Sequence, residues 1–150
     1  MDNSKIVDGL NDLLTKNYDA ETGFKEAADN TKDAKLKSFF FNRANQRYNF
    51  GHEIKKLIAT LGGTPDKGTS VKGDLHRAWF KLREMFALNS EEALLEEVER
   101  GEEACLKEYN EFLENYDLPA NIYKAIEEQR NLIKLTLDKA DLLEDVYEKS

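Results

Sequence analysis

Apolar side chains recur every three or four residues along four stretches of this chain, and polar side chains interrupt each apolar series near its middle. This spacing is typical of α-helices that turn one face toward a core. No segment of useful length alternates apolar and polar residues as a half-buried β-strand does. The chain is therefore predicted to be all-α.

The helix bounds follow from capping and helix-ending residues. Asn3 or Ser4 is expected to cap the first helix and Asp33 the second, which ends at Gly62-Gly63-Thr64-Pro65. Asp117-Leu118-Pro119 separates the last two long helices. The predicted helices cover about residues 3–30, 33–61, 70–86, 91–116 and 119–140.

Short connections predict that the first two long helices form one antiparallel hairpin and the last two form another. A long crossover of about residues 62–90, with its own short helix, joins them. This order predicts a ferritin-like four-helix bundle in a single domain, residues 1–150. A simple up-down-up-down bundle with five helices is the competing topology.

Six polar residues occupy positions that the helical spacing assigns to the core. Charged side chains there must be paired, must bind metal, or must destabilise the fold. A planar guanidinium group suits a carboxylate, so we expect Arg43 and Arg47 to neutralise Glu21 and Glu102. The side-chain amides of Asn17 and Gln129 are expected to satisfy the remaining donors and acceptors. These residues form a predicted charge-balanced polar core layer: Asn17, Glu21, Arg43, Arg47, Glu102 and Gln129.

A dinuclear metal site of the ferritin-like type needs one Glu from each of two helices and a Glu-x-x-His pair from each of the other two. The second helix instead offers Arg47-x-x-Phe50, and the last helix offers Gln129 and no histidine. No catalytic residue, metal site or cofactor is therefore expected. If a degenerate mononuclear site remains, it is predicted to bind iron, manganese or zinc. Its ligands are then expected among four carboxylates: Glu21, Glu99, Glu102 and Glu103. A small-molecule pocket, or a solvent edge at these positions, stays open as well.

The charge of the chain argues against two classes of partner. Its formal net charge is −8, which opposes non-specific attraction to nucleic acid or to anionic membranes. No basic leader followed by a long apolar run is present, so we expect a cytoplasmic protein. The acidic stretch 90–116 favours a solvated helix face, and docking of a basic partner protein is its alternative.

Several short elements resemble a family of small uncharacterised bacterial four-helix-bundle proteins, a domain of unknown function in the ferritin-like superfamily. They cover nearly the whole chain and include Gly23-Phe24 with Ala27-Ala28, Phe40 through Arg47, Leu61 through Pro65, Gly73 through Trp79, and Glu99 through Glu103, together with Leu10 through Leu13. The resemblance implies the fold and carries no activity. More distantly, Gly101-Glu102 and Glu21 resemble carboxylate positions of rubrerythrin-like proteins, from which Arg47 and Phe50 depart.

Three hypotheses follow. The first is a non-catalytic ferritin-like bundle, expected to be a homo-oligomer, that acts through binding or in a stress-related role. The second is a metal-dependent oxidase or peroxidase with a degenerate carboxylate site. The third is an adaptor whose acidic helix docks a basic partner. We favour the first, because the fold pattern is complete while the metal-ligand pattern is not.

Overall fold

The computed structural model describes residues 2–67 and 91–148, with side chains in the last helix described as far as Leu143. These residues form four helices and no strand: α1 (Asn3–Asn30), α2 (Ala34–Thr60), α3 (Glu91–Asn115) and α4 (Ala120–Glu148). The all-α prediction is confirmed for this part of the chain, and four helices are consistent with a four-helix bundle. The short helix predicted at about 70–86 lies outside the described residues.

The chain divides into two compact units, Met1–Lys81 and Leu82–Ser150. The first unit contains α1 and α2, and the second contains α3 and α4. Each pair of helices is joined by only a few residues and packs as a hairpin. That residues 1–150 form a single domain stays a prediction.

Aspartate side chains cap the N-termini of both helices of the first unit. The backbone N–H of Ser4 donates to Oδ1 of Asp2 at 2.9 Å, and the N–H of Leu36 donates to Oδ1 of Asp33 at 3.0 Å. Each carboxylate satisfies a free N–H group and lies at the positive end of the helix dipole. The Asp33 cap was predicted, whereas α1 is capped by Asp2, one residue before the predicted Asn3.

The predicted glycine stop of α2 has the hydrogen bonds of a Schellman motif. The N–H of Gly62 donates to the carbonyl oxygen of Ala59, and the N–H of Gly63 donates to that of Ile58, both at 3.0 Å. Gly62 has a φ of 76°, in the left-handed region that glycine adopts without a Cβ penalty. The two glycines therefore satisfy carbonyl groups that the end of the helix leaves free.

Contacts between α1 and α2 show that the first hairpin is antiparallel. The rings of Phe24, late in α1, and Phe40, early in α2, stack with centroids 6.3 Å apart. At the opposite end, the backbone of Gly63 lies so close to Val7 that a Cβ on the glycine would be 2.7 Å from both Cγ atoms. The apolar core of this unit includes Ile6, Leu10, Leu13, Leu14, Phe24, Leu36, Phe40, Phe50, Ile54 and Ile58.

A buried asparagine attaches the chain after α2 to α1. Nδ2 of Asn11 donates to the carbonyl oxygen of Thr64 at 3.1 Å, and its Oδ1 accepts from the N–H of Asp66 at 2.8 Å. The nitrogen and the oxygen of the amide thus both bond to backbone groups that lie outside the helices and have no helical hydrogen bond. Asn11 sets the direction in which the chain leaves the first hairpin.

The second hairpin buries one apolar stripe from each helix. Pro119 precedes α4, and its carbonyl oxygen accepts from the N–H groups of Ile122 and Tyr123 at 3.1 and 3.0 Å. Across residues 2–67 and 91–148, no helix combines the length and the apolar content that a membrane crossing needs. In the described part of this unit, the buried apolar residues include Leu94, Leu95, Tyr109, Phe112, Ile122, Ile126, Ile133 and Ala140.

Candidate functional site: the buried polar residues of each unit

The first unit buries a permanent positive charge. Arg47 on α2 is 0% exposed, and its guanidinium carbon lies 5.8 Å from the ring centroid of Phe50. Arg43, one turn earlier and half-buried, has the same distance to the ring of Phe39. Such cation–π contacts stabilise a charge modestly, so burial of an arginine also requires carboxylate or hydrogen-bond partners.

Asn17 and Glu21, the predicted site residues of α1, differ in environment. Asn17 is fully buried, and its Nδ2 donates to the carbonyl oxygen of Leu13 at 2.8 Å on the same helix. Oε2 of Glu21 accepts from Nζ of Lys25 at 2.8 Å in an i, i+4 ion pair near the surface. The hydrogen bond and the negative charge of Glu21 raise the pKa of Lys25 above its ordinary value.

The second unit buries a carboxylate on α3. Glu102 is 4% exposed, whereas its neighbours Glu99 and Glu103 are half-buried and exposed, respectively. The three carboxylates therefore differ in their exposure to solvent. In the described parts of the chain, no three histidine, cysteine or acidic side chains are grouped so that they could hold a metal ion.

A buried hydrogen bond between side chains joins α3 to α4. Oη of Tyr109 donates to Oε1 of Gln129 at 2.7 Å, and both residues are buried. The sequence pattern predicted Gln129 as a polar core residue but did not identify Tyr109 as its partner. The available signal was that a buried tyrosine hydroxyl usually has a polar partner.

A second bond continues this contact toward the surface of the hairpin. Nε of Arg130 donates to Oδ1 of Asn110 at 2.8 Å. Because Asn110 follows Tyr109 and Arg130 follows Gln129, the two bonds connect the same turns of α3 and α4. Together they specify the register of the two helices.

The donor set does not fit a dinuclear metal site. Arg47 and Phe50 occupy the i, i+3 positions on α2 where the ferritin-like pattern needs Glu and His. An arginine side chain cannot lose its proton in a protein, so it repels a cation instead of ligating it. On α4, Gln129 already accepts a hydrogen bond from Tyr109.

The predicted polar residues are therefore distributed over both units. Asn17, Glu21, Arg43 and Arg47 lie in the first hairpin, and Glu102 and Gln129 lie in the second. His52, one of the two histidines, is exposed on α2 and packs edge-on against Tyr48 with ring centroids 4.4 Å apart. The other histidine, His76, lies outside the described residues.

No protein with a curated description matches this chain. A family model matches residues 5–115, a range that includes nearly all of α1 together with α2 and α3, and that ends before α4. The match covers most of the chain, including the buried Arg47 and Glu102. The chain therefore belongs to the family described as "Domain of unknown function (DUF2383)".

Proposed function

We propose that this protein is a non-catalytic ferritin-like bundle whose buried charged residues neutralise one another in place of a dinuclear metal site. The observation that carries the proposal is the complete burial of Arg47 beside Phe50. A permanent cation at this position disfavours a bound metal cation by charge repulsion. The protein then acts through binding, in a stress-related or other role that the bundle alone does not specify.

The charge-balanced layer is supported by a desolvation argument. Burying an unpaired charge costs several kcal/mol (about 3–5 when one partner of a buried pair is removed). The first unit buries the positive Arg47, and the second buries the negative Glu102. Neutralisation of the buried charges within the predicted layer, with Asn17 and Gln129 supplying hydrogen bonds, would meet that requirement and would specify the helix register more than it adds stability.

Metal content after loading tests the proposal most directly. The protein is expressed with iron, manganese and zinc supplied, is dialysed extensively, and is measured by mass spectrometry. We expect fewer than about 0.1 metal ions per chain, because the ferritin-like donor set is incomplete. Two tightly held metal ions per chain would overturn the metal-free proposal.

The alternative is a metal-dependent oxidase or peroxidase of degenerate type. The buried carboxylate of Glu102 is the observation that favours it, since buried carboxylates are paired or ligate metals. Its metal ion would be iron, manganese or zinc, and the ligands would be Glu102 together with Glu21, Glu99 or Glu103. Dioxygen-dependent oxidation of ferrous iron above the protein-free rate, lost in Glu102→Gln and retained in the control Glu114→Gln on the same helix, would establish it.

Cytoplasmic location and self-association complete the proposal. The net charge of −8 supports a partner other than nucleic acid or an anionic membrane. Large apolar side chains are exposed on α2 and α4, and exposed apolar groups of this kind favour association with another protein surface. We therefore include a homo-oligomer in the proposal, and sedimentation showing a monomer at high micromolar concentration would remove it.

A further inference from the structure

Helix α4 has a second apolar stripe in addition to the one that it buries. The buried stripe contains Ile126, Ile133 and Ala140. The outer stripe contains leucines that are exposed to an unusual extent for such large side chains: Leu132 (42%), Leu135 (55%) and Leu142 (67%). At about 100° per residue, this stripe lies roughly 145° around the helix from the buried one.

The outer stripe has the spacing of a coiled-coil seam. Its positions follow one another in alternating steps of four and three residues, as the a and d positions of a heptad repeat do. An a/d seam of this kind packs against another helix by inserting each side chain between four residues of its partner. The seam consists of Glu128, Leu132, Leu135, Lys139 and Leu142, and Ala125 precedes it at the next a position.

The charges on the seam specify the orientation of a self-complementary partner. In a parallel pair of identical helices, Glu128 would face Glu128 and Lys139 would face Lys139 of the second copy, which is repulsive in both layers. An antiparallel pair, with its twofold axis between Ile133 and Lys134, places Leu132 opposite Leu135 and Glu128 opposite Lys139. The next layer then pairs the small Ala125 with the large Leu142.

We propose that the outer stripe of α4 binds a second copy of this chain, antiparallel, with Glu128 of each copy opposite Lys139 of the other. This assignment rests on the self-association included in the proposed function and names its surface. Both charged residues are exposed, and neither forms an ion pair with another described residue of its own chain. They are therefore available for the two symmetric ion pairs that the antiparallel register creates.

Sedimentation of the intact protein and of two matched variants tests the surface. Leu135→Glu places two carboxylates in the central layers of the dimer, so we expect the dissociation constant to rise at least about tenfold. Tyr123→Glu is the control, because Tyr123 is on the same helix and is as exposed as Leu132 but lies off the stripe. Its dissociation constant should equal that of the original protein.

A charge exchange tests the antiparallel register. Glu128→Lys or Lys139→Glu alone creates two like-charged pairs, so each should weaken dimerisation about three- to tenfold at low salt. The double variant restores both attractive pairs and should regain the original affinity. All four side chains that are changed in these tests are exposed, and circular dichroism checks that every variant folds.

Each other outcome overturns a defined part of the inference. A monomeric original protein removes both the self-association and this surface. An oligomer that Leu135→Glu leaves unchanged removes the surface but not the self-association. Parallel pairing would make both single charge variants and the double variant equal to the original protein, and that result would overturn the register.

Discussion

Buried asparagines of the first hairpin and the buried tyrosine of the second have hydrogen-bond partners of different kinds. In the first, Asn11 and Asn17 bond to backbone carbonyl and N–H groups of the chain after α2 and of α1 itself. In the second, Tyr109 bonds to Gln129 from one helix to the other. Backbone partners attach a segment to a helix, whereas a bond between side chains of two helices specifies how those helices are aligned.

The hairpins also differ in the sign of the charge that they bury. The first buries Arg47 and the second buries Glu102. A buried ion needs compensation in either hairpin, since a buried charge that loses its partners costs several kcal/mol. The following substitutions test these differences between the hairpins, from the largest expected effect to the smallest.

Replacing either buried charge should cause the greatest loss of stability. We expect Arg47→Met and Glu102→Gln each to lower the free energy of unfolding by about 3–5 kcal/mol, because the buried groups that compensate each charge lose their partner. The double variant should lose at least about 1 kcal/mol less than the sum of the two. Urea unfolding followed by circular dichroism measures all four free energies. Additivity within about 0.5 kcal/mol would contradict the proposed neutralisation.

Adding a methyl group at two glycines should have opposite effects in the two hairpins. Gly63→Ala would bring a Cβ within 2.7 Å of both Cγ atoms of Val7, so we expect a loss of about 1–3 kcal/mol. Gly101→Ala meets nothing within 4 Å in the middle of α3 and should stabilise the protein by about 0.5–1 kcal/mol. Thermal unfolding distinguishes the two. An unchanged melting temperature for Gly63→Ala would show that Val7 moves aside.

Removing the hydroxyl group of Tyr109 tests the alignment of the second hairpin. Tyr109→Phe leaves Oε1 of Gln129 without this donor, and we expect a loss of about 1–2 kcal/mol. The matched control is Tyr123→Phe, in which the same hydroxyl is removed from an exposed ring of α4 and the effect should stay within about 0.5 kcal/mol. Equal effects of the two substitutions would show that the buried hydrogen bond of Tyr109 contributes no more to stability than an exposed tyrosine hydroxyl does.

The ion pair of Glu21 and Lys25 should contribute least. The pKa of Lys25 is raised by Glu21, so its contribution to stability is present below the unfolded lysine pKa and is lost as pH rises through the folded value. Because Lys25 is 57% exposed, we expect Glu21→Gln to cost at most about 0.5 kcal/mol near neutral pH. The cost should decline as pH rises past the ordinary lysine pKa of about 10.4 and should vanish above the raised pKa of Lys25. A loss above about 2 kcal/mol would indicate a buried role for Glu21.

The helices of this protein could be predicted closely from local patterns. Asp33 and the two glycines after α2 begin and end helices through short-range hydrogen bonds, which depend on neighbouring residues alone. The burial of Arg47 and Glu102 could likewise be predicted, since both interrupt apolar stripes. Helical periodicity reports which face of a helix is buried and does not report which side chains meet there.

The partners of the polar residues could not be predicted in the same way. The bond of Tyr109 to Gln129 depends on the alignment of α3 with α4. Asn11 carried no sequence signal for its bonds to Thr64 and Asp66, which lie far along the chain. Long-range pairs of this kind depend on how the helices pack, and no local spacing encodes that packing.

The sequence by itself determined the all-α class, the residues that interrupt the apolar stripes and the ends of the helices, because these depend on local propensity and on the 3.6-residue period. The exception is the C-terminal end of α4, which was predicted at about residue 140 and lies at Glu148. Only the tertiary structure decided that Tyr109 bonds to Gln129, that Val7 packs against Gly63, and that α4 leaves a leucine stripe exposed. Two faces of one helix can both be apolar, and only packing selects the face that is buried.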